Sequence, residues 1–348
     1  MTRRRDPVER ADGDGTDLYD VSTWEPRSTV DRLSYGIYQG LSYGLQSIVL
    51  LTAVAITISL LVTPGLLVAE EPIIAVFFGL SIVPALALAA YIWYADITTK
   101  QPLWLLVATF VLAVLFATFA AVVNTVGGTR LQPIPIVGTL LFFFLIVGPV
   151  EEAVKLLAVR VLAYRSEHFD AVIDGAVFGA VAGLGFAAIE NAIYISGTLV
   201  QLGTGTGLIT AATGITTVRA LVGPGHVIYS AIAGYYLGLA KFNPQYAGPL
   251  VVKGLLVAAF VHATYNATVG VVPALVAAIH PISVELAFVA YVIGFNLLIG
   301  LYLYRKIARY RRAYRSARDD VDGVPTPELT EFDPDRQSHT DEPDYSSQ

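Results

Sequence analysis

Apolar runs long enough to cross a bilayer alternate with short polar breaks along this chain. They are Ile48–Val68, Ile73–Ala95, Leu103–Val123, Ile134–Ala163, Ala171–Ile195, Val222–Ala240, Pro249–Gly270 and Ile282–Tyr304. About 20 apolar residues suffice for a helical crossing. The pattern predicts an all-α polytopic membrane protein, a bundle of about eight transmembrane helices with its core formed by spans four to seven. The fourth run is too long for a straight crossing and contains Gly148-Pro149, which predicts a tilt, kink or break. The Gly/Thr-rich stretch Gly197–Thr217 reads as an outer loop or interfacial helix. Three regions follow: residues 1–46, a polar cytoplasmic arm with an interfacial segment; 47–305, the transmembrane domain; and 306–348, a basic juxtamembrane stretch and an acidic disordered tail.

Composition agrees with the pattern. Of 348 residues, 55% are hydrophobic and 14% charged, against about 25% charged in an ordinary soluble domain. The formal charge of -6 comes mostly from the ends and makes no case for nucleic acid. Cysteine is absent, which removes disulfides, thiolate zinc sites and a cysteine nucleophile. No cleavable signal peptide is expected. Arg27, Arg32, Lys100, Arg160, Arg165, Lys241 and Lys253 fall on one set of loops, and six basic residues from Arg305 to Arg315 follow the last span. The alternate loops hold Glu70, Glu71, Arg130 and Arg219 and very little else that is basic. The positive-inside rule then places both termini in the cytoplasm of a multi-pass protein of the cell membrane.

The chemistry lies in the few ionisable residues inside the spans, which are expensive there and usually functional. Glu151 and Glu152 follow an uncharged stretch, with Lys155 one turn on. Glu151 and Lys155 share a face, in the order that favours pairing. Glu152 points about 100° away. One acid can be held by Lys155 while the other works on water as a general base. The structural alternative is an ion-pair network that locks helices together. In the fifth run Gly175, Gly179 and Gly183 recur every four residues, as close helix packing requires, and Glu190 lies near that packed face. Asp174, about 24 Å from Glu190 by helix rise, reads as a helix cap or a partner of Arg165. His226 follows a Gly-Pro-Gly turn, which sets it in the first turn of a helix. His262 and Asn266 are one turn apart on one face. Imidazoles at this depth suit metal binding or proton handling. His168, His280 and His339 fall in loops and tail.

In order and spacing these motifs, EExxK, Gly-x-Gly-Phe-x-x-x-Glu-Asn, His and His-x-x-x-Asn, resemble the PrsW family of intramembrane proteases, relatives of the prenyl-protein and bacteriocin-processing peptidases. The likeness is close from about Phe142 to Ala267. It implies a hydrolase that cuts membrane-anchored proteins; the best-known type cuts an anti-sigma factor on its outward-facing side. It implies site residues Glu151, Glu152, Lys155, Glu190, His226, His262 and Asn266. A glutamate would activate water, and the histidines and asparagine would organise the site. If an ion takes part, the expectation is Zn2+ held by His226, His262 and Glu190. The expected partners are a membrane-anchored protein substrate and the lipid bilayer, with the oligomeric state left open.

Two other functions fit the composition. Membrane Glu, His and Lys residues also build proton-coupled transporters. Transporters often repeat their architecture between halves, whereas spans one to three carry no matching polar set. A non-enzymatic membrane scaffold would use the tails as binding surfaces.

Overall fold

The computed structural model describes residue 17 and residues 25–135, 137–202 and 207–322. Most of the expected N-terminal arm and the tail from residue 323 lie outside them. By internal packing the chain forms two units, residues 1–63 and 64–348.

The described residues form ten α-helices: α1 Thr29–Glu70, α2 Ile73–Ala95, α3 Leu103–Leu131, α4 Gly138–Leu141, α5 Gly148–Val161, α6 Val172–Leu202, α7 Leu208–Phe242, α8 Ala247–Thr268, α9 Val271–Ile279 and α10 Val284–Asp322. No strand occurs among them. The protein is an all-α polytopic membrane protein. Six helices are long and apolar enough to cross a membrane on those grounds alone, namely α2, α3, α6 and the apolar parts of α1, α8 and α10. The other two expected spans are also helical. The fourth is interrupted, and α7 is diluted by Gly, Tyr, Ser and His.

Several boundaries differ from expectation. Residues 29–46 begin the 42-residue α1, continuous with the first expected span. In the stretch 197–217 the described residues are helical apart from Gly207. Its described residues extend α6 to Leu202 and begin α7 at Leu208. Gly223-Pro224-Gly225 makes no turn and lies inside α7. In a bundle, neighbouring helices re-satisfy the backbone groups that such residues free. Next to the Ala220 carbonyl that Pro224 leaves without its helical donor, Asn296 of α10 donates to the Leu221 carbonyl at 3.2 Å.

The break expected at Gly148-Pro149 is a π-helical segment, Phe142–Val147, directly before α5. Pro149 offers no N–H to the preceding turn, and its ring crowds the carbonyl four residues back. A wider turn relieves both. A Cβ on Gly148 would stand 2.6 Å from the Ala259 carbonyl oxygen, so α5 and α8 touch backbone to backbone beside the two acids.

Helix α6 is the centre of the second unit. Its apolar window is 83% buried, against 17–28% for the other five spans. It lies antiparallel on α7. A Cβ on Gly175, Gly179 or Gly183 would come 2.1–2.3 Å from the carbonyl oxygens of Gly234, Ser230 and His226 respectively. The four-residue glycine repeat thus brings two helix backbones together, as its spacing predicts.

Candidate active site

Five helices bring the polar residues together in the half of the bundle nearer the α3–α4 and α6–α7 connections. Glu151 and Glu152 stand in the first turns of α5, directly after the π segment. Lys155 lies one turn on. Glu190 comes from α6, His226 from α7, His262 from α8 and Asn124 from the end of α3. Glu151, Glu152, Lys155, His226 and His262 are all buried.

The two acids have different surroundings. Lys155 Nζ donates to Glu152 Oε1 at 2.7 Å, and the Nδ1–H of His262 donates to the same oxygen at 2.9 Å. Ser230 Oγ donates to Glu152 Oε2 at 3.2 Å. Both oxygens of Glu152 are therefore engaged. Glu151 has one hydrogen bond, from Asn124 Nδ2 to Oε1 at 2.9 Å. Its Oε2 is buried with no hydrogen-bond partner among the described residues. That atom lies 3.6 Å from His262 Nε2 and 3.9 Å from Lys155 Nζ. The pairing read from helix spacing, Glu151 with Lys155, is the weaker one. The tighter partner is the acid three residues back.

Each histidine is oriented by a carboxylate. On His262, Nδ1 points to Glu152 and Nε2 is left for Glu151. His226 Nε2 donates to Glu190 Oε2 at 2.9 Å, and its Nδ1 accepts from Lys155 Nζ at 3.0 Å. The two imidazoles meet edge to face, centroids 5.1 Å apart. Phe186 closes one wall, 5.5 Å from the His226 ring and 4.2 Å below the Lys155 ammonium. Tyr229 lies 5.5 Å from the His262 ring.

Arg219 belongs to this network. Sequence reasoning set it in an outer loop. It is buried inside α7, where Nη2 donates to Glu190 at 2.5 Å and Nε to Asn191 Oδ1 at 2.8 Å. Asn191 in turn donates to the carbonyl and hydroxyl of Ser81 on α2. A chain of hydrogen bonds therefore runs from α2 through Arg219 and Glu190 to His226. The spacing of Glu190 from the glycine face could have signalled a partner on α7. Asn124 was missed because the third apolar run was ended one residue before it.

Two residues singled out in the sequence are not part of this hydrogen-bond network. Asp174 is far from the site on the continuous helix α6. Its Oδ2 accepts the N–H groups of Asp170 and Ala171, and its Oδ1 accepts from Gln101. That is the helix-start role read from its position, without Arg165. Asn266 lies one turn beyond His262, half-buried, and forms no hydrogen bond with the site residues named above.

The residues whose donor atoms converge as a metal-ligand set would are Glu151, His226 and His262, all within 4.8 Å of one another. Glu190, expected as the carboxylate ligand, stands outside that set and is engaged with Arg219 and His226. Residues 101–298 match the family model of the PrsW family intramembrane metalloproteases. The chain belongs to that family. Similar proteins include the PrsW protease of Bacillus subtilis (strain 168), 29% identical over 193 residues, which are 53% of this chain and 78% of that one. The PrsW protease of Oceanobacillus iheyensis is 30% identical over 186 residues, 53% of this chain and 79% of that one. That of Halalkalibacterium halodurans is 28% identical over 190 residues, 54% and 80% of the two chains. No solved structure matches the chain. The protein is an intramembrane protease, and its substrates are proteins of the membrane. The part matched to the PrsW family takes in every residue of the network above except Ser81. It leaves out α1, α2 and the C-terminal end of α10.

Proposed function

We propose that this PrsW-family protease cuts membrane-anchored proteins with water activated by Glu151. The observation that supports this is the asymmetry of the acids. Glu152 is saturated by Lys155, His262 and Ser230, whereas Glu151 keeps one buried oxygen without a hydrogen bond. Such an oxygen is suited to accept a proton from water. The hydroxide oxygen then bonds to the scissile carbonyl carbon. Glu151 returns the proton to the amide nitrogen as the C–N bond breaks. Glu152 and Glu190 fix the ring orientations of His262 and His226, and Asn266 donates to the oxyanion.

The donor set also fits a zinc ion. Two imidazoles and a carboxylate are a known catalytic zinc combination. The carboxylates behind both rings match the second shell of such sites, and the orphaned Glu151 oxygen is a ligand atom in waiting. His262 already leaves Nε2 free. His226 has both nitrogens engaged, so Lys155 would withdraw from Nδ1. A bound divalent ion would supply Lewis-acid polarisation and a more acidic water.

Orientation follows from the charge pattern. Arg219 is neutralised inside the bundle, which leaves the alternate connections poorer still in basic charge. Both termini are then cytoplasmic and the site lies in the outer half of the membrane. The natural chain has no cysteine, so single cysteines at Glu71 or His280 should react with an impermeant maleimide from outside intact cells. Labelling only after lysis contradicts the orientation.

The function is tested by comparing membrane proteomes of cells carrying the wild type and the Glu151→Gln/Glu152→Gln variant. A single-span protein should accumulate uncut only in the variant. Identical proteomes would count against the assignment.

A further inference from the structure

Ala113, Ala117, Ala120 and Gly128 of α3 are buried. Asn124 falls one turn from both Ala120 and Gly128 and so shares their face. It is half-buried, and its Nδ2 donates across to Glu151 Oε1 on α5 at 2.9 Å. The other end of each group is unused. Asn124 Oδ1 and Glu151 Oε2 are both buried with no hydrogen-bond partner among the described residues. This is the only hydrogen-bonded pair of side chains among those residues with an orphaned atom on both members.

The two orphans are of one kind. An amide oxygen and a carboxylate oxygen both accept and neither donates, so they cannot satisfy each other. The neighbouring side chains do not help. His262 Nε2 lies 3.6 Å from Glu151 Oε2, but the ring proton is on Nδ1, toward Glu152. Lys155 Nζ is 3.9 Å from Oε2 and is committed to Glu152 and His226. Buried acceptors without a donor are costly. A small molecule with two O–H hydrogens satisfies both, and hydrolysis consumes such a molecule.

Orientation is what a second acceptor adds. A water held only by Glu151 turns about that single hydrogen bond, and its lone pair meets the scissile carbonyl carbon for part of the time. Fixing the second hydrogen stops the turning and aims the lone pair, and aim of this kind carries a large share of catalysis.

We propose that Asn124 is a further catalytic residue of this protease, its Oδ1 accepting the second hydrogen of the water whose first hydrogen faces Glu151 Oε2. One O–H bond breaks, its proton passing to Glu151 and its electron pair staying on the oxygen. The other O–H bond stays intact, hydrogen-bonded to Asn124, while the oxygen bonds to the carbonyl carbon. Asn124 Nδ2 meanwhile holds Oε1 and so fixes the plane of the carboxylate. The proposal rests on the reading of Glu151 as the base and adds the residue that orients its water.

The test uses the full chain in liposomes with the single-span protein that accumulates uncut in Glu151→Gln/Glu152→Gln cells. Asn124→Leu keeps the size and removes both polar ends. Measured below its melting temperature, it should lower kcat by about 10–100-fold with KM nearly unchanged. Thr125→Val, at an exposed neighbour on α3, should behave as wild type. In the Glu151→Gln background, Asn124→Leu should lower kcat little further, because no base remains for the water to face; damage to the structure alone would add in full. A high-resolution crystal structure of the full chain should show a water within hydrogen-bond distance of both Asn124 Oδ1 and Glu151 Oε2, lost in Asn124→Leu. Wild-type kcat in folded Asn124→Leu, additive losses in the double variant, or no water on Oδ1 overturns the proposal, while loss of cleavage in Glu151→Gln still upholds the base. Wild-type cleavage by Glu151→Gln overturns both.

Discussion

Lys155 Nζ lies 2.7 Å from Glu152 and 3.9 Å from Glu151. The acid nearer in space is the one three residues back, and this separates two adjacent residues of identical chemistry. Glu152 becomes a structural centre joining α5, α7 and α8. Removing its charge leaves the buried Lys155 ammonium only the longer contact to the Glu151 carboxylate, at 3.9 Å. Such a loss costs about 3–5 kcal/mol, so Glu152→Gln should lower the melting temperature clearly, while Glu151→Gln should not. Thermal unfolding of the purified variants checks this; equal destabilisation would show that the acids share the structural role.

Arg219 and Glu190 should behave as a unit. Arg219→Gln strands the Glu190 carboxylate beside His226 and should destabilise the protein by a few kcal/mol. Adding Glu190→Gln should recover much of that loss, which a double-mutant cycle measures. Additive losses would mean that the two side chains do not depend on each other.

Gly183 faces the His226 carbonyl oxygen so closely that a methyl group would stand 2.3 Å away. Gly183→Ala must push α6 and α7 apart at the level of the site. Overpacking of this kind costs about 1–3 kcal/mol, and activity should fall beyond what lost stability explains. Gly197→Ala, which meets no atom within 4 Å, is the control. Wild-type melting and cleavage in Gly183→Ala would refute the close approach.

Zinc binding has a readout apart from activity. If Glu151, His226 and His262 are the donors, protein purified without chelator should carry about one zinc per chain. His262→Ala should lose it, and Glu190→Gln should weaken it by about 10–100-fold through the orientation of His226. Active, chelator-washed protein without metal would leave Glu151 acting alone.

The sequence showed much of this site because charges inside an apolar run have few structural excuses. Glu151, Glu152, Lys155, Glu190, His226 and His262 stood out on that ground, and the glycine repeat gave the face on which α6 meets α7. What it hid depends on tertiary partners. Gly223-Pro224-Gly225 has the composition of a turn, yet it lies inside α7, where Gly223 packs against Ala85 and Ser81 of α2 and Asn296 of α10 donates to the nearby Leu221 carbonyl. Arg219 looked like a loop charge because helices outrun their apolar windows, and only the fold reveals Glu190 beside it. Asn124 is an ordinary amide until α5 brings Glu151 to it. Spacing alone could not divide Lys155 between acids three and four residues away, since both lie on its face.

The division of labour between Glu151 and Glu152 is the central claim, and a rate comparison tests it most directly. Wild type, Glu151→Gln and Glu152→Gln would be reconstituted in liposomes with the substrate that accumulates in the double variant, and cleavage measured at saturating substrate below the melting temperature of all three. Glu151→Gln should lower kcat by about 10²–10⁴-fold while keeping wild-type stability. Glu152→Gln should lose stability first and keep more of its rate. Near wild-type cleavage by folded Glu151→Gln would contradict the account.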